Sequence, residues 1–184
     1  MRWFWFIVLY TALALGANTA MADLTAVEGL RDGSMKKLSL HRAPVEVPEA
    51  VLLGMDDAPH SLAEFQGRYV LLNFWATWCA PCRKEMPGLA ALQTDQGDED
   101  FQVVTVAVGR NPVPMIQKFM AEIGVENLTL LRDPKQQFAR DMAVLGLPIS
   151  VILDRDGQEI GRLHGDAEWD SDSAKAIIAA LKAR

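Results

Sequence analysis

The chain contains two cysteines, Cys79 and Cys82, which only Ala80 and Pro81 separate. Cysteines at this spacing can form a disulfide, bind a soft metal ion, or exchange electrons as a dithiol–disulfide couple. A purely structural disulfide here would stabilise the fold little, because it closes a very short loop. Trp78 precedes the pair, and its flat ring would partly shield the nucleophile and offer a surface to a partner's backbone. The pattern therefore favours a redox-active pair.

The elements around the cysteines indicate which of them reacts first. The apolar run at residues 68–75 predicts a buried strand, and a helix is expected from the cysteines to about residue 95. Free N–H groups and a partial positive charge at the start of a helix stabilise a thiolate. We therefore expect Cys79 to be the attacking thiolate and Cys82 to be the resolving thiol. Pro81 suits the first turn of a helix, where its missing N–H costs little.

Strand and helix patterns alternate along the rest of the chain. Strands are expected at residues 101–108, 128–131, 149–154 and 158–164, and helices at residues 113–123, 135–142 and 171–183. The dipeptide Asp156-Gly157 is typical of a hairpin and joins the last two strands. This order predicts an α/β fold with a central mixed sheet, mainly parallel with an antiparallel edge, and flanking helices.

The N-terminal segment is typical of an export signal. Residues 3–15 are apolar and uncharged, and Arg2 precedes them. Their length fits a signal-peptide core of roughly 7–15 residues and is short of the about 20 that a bilayer span requires. Ala20-Met21-Ala22 provides a small-x-small cleavage pattern. Residues 1–22 are thus expected to be a cleaved signal peptide or, alternatively, a membrane anchor, and both place the folded part in an oxidising periplasm.

Composition limits the remaining possibilities. The 184 residues, half of them apolar, suffice for one domain, which we expect over residues 51–184 after an extended lead-in over residues 23–50. The net charge of −6 argues against nucleic acid as a partner. Two cysteines and three scattered histidines predict neither a disulfide-rich scaffold nor a zinc site, and we expect no metal and no cofactor.

The segment FWATWCAPCRKEMP at residues 74–87 resembles the thioredoxin superfamily, and in particular its TlpA/ResA-like branch of periplasmic thiol–disulfide oxidoreductases. The resemblance extends from about residue 43 to the C-terminus and includes SLAEFQG at residues 61–67. It implies a thioredoxin fold with an extra helix–strand insertion, for which residues 113–131 are the candidate.

The resemblance also implies roles for individual residues. Pro148 stands where thioredoxins have a cis-proline opposite the cysteines, and with Trp78 and Pro81 it would contact substrate; the alternative is an ordinary trans-proline at a strand start. Glu85 matches an acidic residue of this branch and would relay protons for the thiols, the alternative being a solvated carboxylate on the helix surface. Asn73 replaces the buried aspartate of cytoplasmic thioredoxins, which leaves the acid–base work to Glu85, to water or to the partner.

The function that the resemblance implies is reduction of disulfides in exported proteins. Substrates of this branch are often apocytochrome c, in cytochrome c maturation, or copper-site assembly proteins, and a membrane thiol-transfer protein would supply the electrons. The alternatives are a disulfide-forming oxidase of the same fold and a non-enzymatic Cu(I) chaperone. Oxidases of this fold tend to carry a histidine between the cysteines, so Ala80-Pro81 favours the reductase.

Overall fold

The computed structural model describes residues 24–184. The strands are β1 (Leu38–Val45), β2 (Leu52–Leu53), β3 (Pro59–His60), β4 (Tyr69–Trp75), β5 (Phe101–Val108), β6 (Thr129–Asp133), β7 (Ile149–Leu153) and β8 (Glu159–His164). The helices are α1 (residues 24–29), α2 (Ala80–Gln96), α3 (Val113–Glu122), α4 (Gln137–Asp141) and α5 (Asp172–Lys182). Two short 3₁₀ helices lie at Gly33–Lys37 and Leu62–Phe65.

All eight strands form one mixed sheet in the order β1-β8-β7-β4-β5-β6-β2-β3. The central strand β4 runs parallel to β5 and antiparallel to β7, and β7 and β8 form the predicted hairpin. The predicted α/β fold with a mixed sheet and flanking helices is confirmed, with element ends shifted by a few residues. The expectation of a mainly parallel sheet is wrong, because only β4–β5 and β5–β6 pair in parallel. The other neighbouring strands pair antiparallel, including β7 with the central strand β4. The candidate insertion at residues 113–131 contains α3 and the first residues of β6.

The central strand β4 is buried along its whole length because both faces of the sheet are covered. Leu71 and Trp75 belong to the core under α2 and α5. Leu72 and Phe74 point the other way, into the core under α4. This double coverage explains the nearly continuous apolar run, which only Asn73 interrupts.

The segment predicted as a lead-in is integrated with the sheet. Strand β1 pairs antiparallel with β8 and forms one edge. Val27, Met35 and Leu38 are buried in the core. The predicted signal peptide or anchor at residues 1–22 lies outside the described residues. Between residues 24 and 184, no helix combines the length and hydropathy needed to cross a membrane.

The strand directions bring three connecting segments to one end of the sheet. Parallel strands β4 and β5 both finish at this end, whereas the antiparallel strand β7 begins there. Phe74, next to the last residue of β4, pairs with Ile149, the first residue of β7. The segments that follow β4 and β5 and the segment that precedes β7 therefore meet, and the first of them carries the cysteines.

Candidate active site

Cys79 and Cys82 form a disulfide across the first turn of α2. Cys79 is the N-cap residue of this helix, and its Sγ accepts the backbone N–H of Cys82 at 3.3 Å. The Cys79 residue is 6% exposed, whereas Cys82 is fully buried. The helix start predicted at the cysteines is confirmed, and a partner can reach only the first sulfur directly.

Exposed residues surround the accessible sulfur. Trp78 is 68% exposed, so its ring is a free surface beside the disulfide. Ala80 and Pro81 are also exposed. These residues leave room for a partner chain next to Cys79, as the predicted substrate contacts of Trp78 and Pro81 require.

The Leu147–Pro148 peptide bond is cis, which the resemblance predicted. Pro148 directly precedes β7, and the register of β7 with β4 places it at the same end of the sheet as the cysteines. Its carbonyl accepts the N–H of Gly165, so it also holds the segment after β8. Leu145, in the same connection, is 96% exposed. Contact of Pro148 with substrate stays a prediction.

Glu85 lies in α2, three residues after Cys82, and is only 4% exposed. Its Oε1 accepts the Nδ2–H of Asn73 at 2.8 Å. Its Oε2 accepts the backbone N–H of Ala167 at 3.1 Å and the indole N–H of Trp169 at 3.2 Å. This burial excludes the solvated surface position that the sequence had left open.

Burial raises the pKa of Glu85 to about 7, because the ionised carboxylate loses its hydration. The hydrogen bonds from Asn73, Ala167 and Trp169 oppose this and lower the pKa, while the charge of Asp166 raises it further. The carboxyl group can therefore gain or lose a proton near neutral pH, as a general acid–base residue must.

A second buried carboxylate, Glu159, shows how charged hydrogen-bond donors change the pKa of a buried acid. Burial raises its pKa too, but hydrogen bonds from Arg162 and His41 outweigh burial, so that the pKa of Glu159 is lowered. The hydrogen-bond donors of Glu85 are all neutral. A buried carboxylate with neutral donors is suited to proton transfer rather than to a permanent ion pair.

Sequence reasoning missed Ser150 and left the place of Trp169 open. Asn73 Nδ2 donates to Ser150 Oγ at 3.0 Å, and both residues are buried. A weak signal for Ser150 exists, because Asn73 and Ser150 are polar residues within otherwise apolar strands. No local pattern connects Trp169 with Glu85, since 84 residues separate them.

Asn111 is a further residue that the sequence did not single out. Its Oδ1 accepts both the backbone N–H of Thr77 at 2.7 Å and the Thr77 hydroxyl at 2.9 Å. Its Nδ2 donates to the carbonyl of Val108 at 2.8 Å. Because Thr77 lies two residues before Cys79, Asn111 fixes the segment that carries the disulfide to the end of β5.

No metal cluster accompanies the cysteines in the part of the chain that the structure describes. Over residues 24–184, no group of three or more His, Cys, Asp or Glu side chains could hold a metal ion.

The site is thus a helix-capping disulfide, with a buried carboxylate three residues further along the same helix and a cis-proline at the same end of the sheet. The family model described as Redoxin matches residues 42–178. This match covers most of the chain, which belongs to the redoxin family.

Individual relatives agree with this assignment. The chain is 31% identical over 111 residues to the thiol-disulfide oxidoreductase ResA of Geobacillus thermodenitrificans, in an alignment that spans 60% of this chain and 63% of the relative. It is 34% identical over 115 residues to the thiol:disulfide interchange protein HelX of Rhodobacter capsulatus, spanning 62% of each chain. The chain therefore covers less than two thirds of these relatives.

A solved structure has the same fold and superposes on this chain over almost the whole of its own length. The crystal structure of a DsbE-type thiol:disulfide interchange protein from Chlorobium tepidum superposes with a TM-score of 0.66 at 33% identity, over 78% of this chain and 99% of that one. The predicted thioredoxin fold and TlpA/ResA-like resemblance are confirmed. The relatives' names support the predicted class, the thiol–disulfide oxidoreductases.

Proposed function

We propose that this protein is an exported thiol–disulfide oxidoreductase that acts as a disulfide reductase through Cys79 and Cys82. The observation that carries the proposal is the position of Cys79 Sγ at the N-terminus of α2, where it accepts the N–H of Cys82. In the reduced protein this N–H and the helix dipole favour the thiolate, which is the nucleophile in disulfide exchange.

Reduction of a substrate disulfide proceeds in two exchanges. The Cys79 thiolate attacks one substrate sulfur, so that a mixed disulfide forms and the other substrate sulfur leaves as a thiolate and takes up a proton. Cys82 then loses its proton and attacks Cys79 Sγ, which releases the second substrate thiol. The protein dithiol is oxidised to the disulfide and the substrate disulfide is reduced to a dithiol, with two electrons and two protons transferred in total.

Glu85 is the residue that would accept the proton of Cys82. The two residues are separated by three positions in α2, which makes them neighbours on one side of the helix. Burial raises the pKa of Glu85 to about 7. A general base works best when its pKa lies near the pH at which the protein operates, and Glu85 meets this condition near neutral pH. Asn73, which cannot ionise at this pH, then serves to hold the carboxylate.

The substrates would be disulfides of exported proteins, and the candidates are apocytochrome c and copper-site assembly proteins. Cytochrome c maturation is thus the candidate process. The expected signal peptide or anchor at residues 1–22 supports a periplasmic location, either free or tethered to the membrane. A reductase in an oxidising compartment consumes reducing equivalents, so a membrane thiol donor would regenerate the dithiol.

The reduction potential of the Cys79–Cys82 couple tests the proposal. A value near that of thioredoxin, about −270 mV, is expected for a reductase. A value near −120 mV, which is typical of a strong oxidant, would assign the protein as a disulfide-forming oxidase instead. Insulin reduction by the full chain gives the matching activity readout, with Cys79→Ser as the inactive control.

The Cu(I) chaperone is separated by titration of the reduced protein with Cu(I). Tight stoichiometric binding that Cys79→Ser abolishes, in a protein without insulin reduction, would replace the reductase by a copper carrier. We expect insulin reduction without such binding.

A further inference from the structure

The three groups that hydrogen-bond to the carboxylate of Glu85 are all donors. Asn73 Nδ2 faces Oε1, while the N–H groups of Ala167 and Trp169 both face Oε2. This arrangement fits the ionised form, because a carboxylate only accepts hydrogen bonds. The same arrangement does not fit the protonated form, whose hydroxyl must donate one.

The added proton needs an acceptor, and the neighbours of Glu85 limit where it can be found. A proton on Oε2 would point at the N–H groups of Ala167 and Trp169, neither of which can accept. A proton on Oε1 would point at the amide nitrogen of Asn73, which cannot accept either. The other end of the same amide, Asn73 Oδ1, is an acceptor, and it is buried without a hydrogen-bond partner.

We propose that Asn73 is a positioning residue that serves both protonation states of Glu85 by turning its amide through half a rotation. With the carboxylate ionised, Nδ2 donates to Oε1, as the structure shows. With the carboxyl protonated, Oδ1 takes the place of Nδ2 and accepts the proton. The inference rests on the proposed function insofar as Glu85 gains its proton from Cys82; the turn itself breaks no covalent bond and moves no electron.

Ser150 makes the turn possible because its hydroxyl can change roles. It accepts from Asn73 Nδ2 in the ionised state, and a hydroxyl can equally donate to Oδ1 after the turn. After the turn Oδ1 accepts both hydrogen bonds, while the NH₂ group takes the buried place in which Oδ1 now has no partner. Ser150 is its direct partner in the register of β4 with β7.

Thr105 occupies the corresponding position on the other side of Asn73 and provides a matched control. It pairs with Asn73 in the register of β4 with β5 and is as buried as Asn73. Its hydroxyl donates to the carbonyl of Thr129 instead of joining the Glu85 cluster. Removing it should leave Glu85 unaffected.

The turn can be observed by NMR in the oxidised protein with ¹⁵N-labelled asparagine and a ¹³C-labelled Glu85 carboxyl. We expect the Asn73 amide resonances to titrate with the same midpoint as the Glu85 carboxyl. We also expect strong contacts between the Asn73 NH₂ protons and the Ser150 β-protons above this midpoint and their loss below it. Contacts that persist on both sides of the Glu85 titration, or a Glu85 carboxyl that does not titrate between pH 4 and 9, would overturn the proposal.

Variants add a second measurement. Asn73→Leu removes both the donor to the ionised carboxylate and the proposed acceptor for the protonated carboxyl. Because hydrogen bonds to the charged form are the stronger ones, the loss disfavours the carboxylate, and the midpoint of the Glu85 titration should rise by about one pH unit. Thr105→Val should leave it unchanged, and equal midpoints in both variants would contradict the role of Asn73. If Asn73→Leu does not fold, the NMR contacts of the unaltered protein decide.

The proposed function and the turn of Asn73 can fail separately. An inactive protein whose Asn73 turns would refute the proposed function alone, whereas an active reductase whose Asn73 stays fixed would refute the turn alone.

Discussion

The indole N–H of Trp169 donates to Oε2 of Glu85 at 3.2 Å, although 84 residues separate the two in sequence. The segment after β8 thereby covers the carboxylate of α2, with the backbone N–H of Ala167 as a second donor to the same oxygen. Gly165, which has a φ of 82°, turns the chain at the start of this segment. The protonation of Glu85 thus depends on a loop far from the cysteines in sequence.

Trp169→Phe should raise the pKa of Glu85 above about 7, because it removes a donor that favours the charged carboxylate. An increase of about one pH unit is expected from the loss of one such bond. The measurement is a ¹³C titration of the Glu85 carboxyl in oxidised protein.

Trp75→Phe is the control for this substitution. Trp75 is also fully buried, but its Nε1 has no hydrogen-bond partner. Both variants lose an indole N–H and ring volume, whereas only one loses a bond to Glu85. A similar shift in the two variants would show that packing, and not the Trp169 bond, sets the pKa.

Glu85→Gln should flatten the dependence of stability on pH. The pKa of Glu85 rises from 4.5 to about 7 on folding because of burial, so the folded protein binds this proton more tightly than the unfolded chain. The resulting stabilisation is full below pH 4.5 and is lost as the pH rises through about 7, for a total of about 3 kcal/mol. Denaturant unfolding of the oxidised protein from pH 4 to 8 measures it. Parallel stability curves for the two proteins would argue against a raised pKa.

The two cysteines should differ in reactivity when each is left alone. In Cys82→Ser, Cys79 keeps its place at the helix N-terminus and remains reachable, whereas in Cys79→Ser the remaining Cys82 is fully buried. Alkylation at pH 7 should be faster for Cys79 by roughly a factor of ten or more, the change that one unit of thiol pKa makes. Equal rates would contradict the assignment of attacking and resolving thiols.

Asn111→Leu should destabilise the protein by about 2 kcal/mol or more, because it leaves the N–H and the hydroxyl of Thr77 buried without their acceptor. Insulin reduction should fall as well, since Thr77 precedes the disulfide by two residues. Asn127→Leu is the matched variant, because Asn127 also bonds through its amide but lies on the surface. Unfolding free energies that drop equally in both would refute the special role of Asn111.

Local sequence predicted much of the fold because the determining interactions are local or periodic. The apolar run of β4 predicted a doubly covered strand. Ser61 and Glu64, three residues apart, form a capping box, which is likewise an interaction between near neighbours in sequence. The integration of β1 was less evident, since its pairing with β8 joins segments about 120 residues apart, as in the contact of His41 with Glu159.

Cysteine spacing and hydrophobic periodicity act within a few residues, and for this reason the sequence predicted the disulfide pair, its place at the start of a helix and the mixed sheet. The burial of Glu85 and its hydrogen bonds from Asn73, Ala167 and Trp169 became visible in the folded chain alone. These residues come from three separate parts of the chain. Desolvation depends on what covers a side chain in three dimensions, and for this reason the chemistry of Glu85 could not be deduced from the residues next to it.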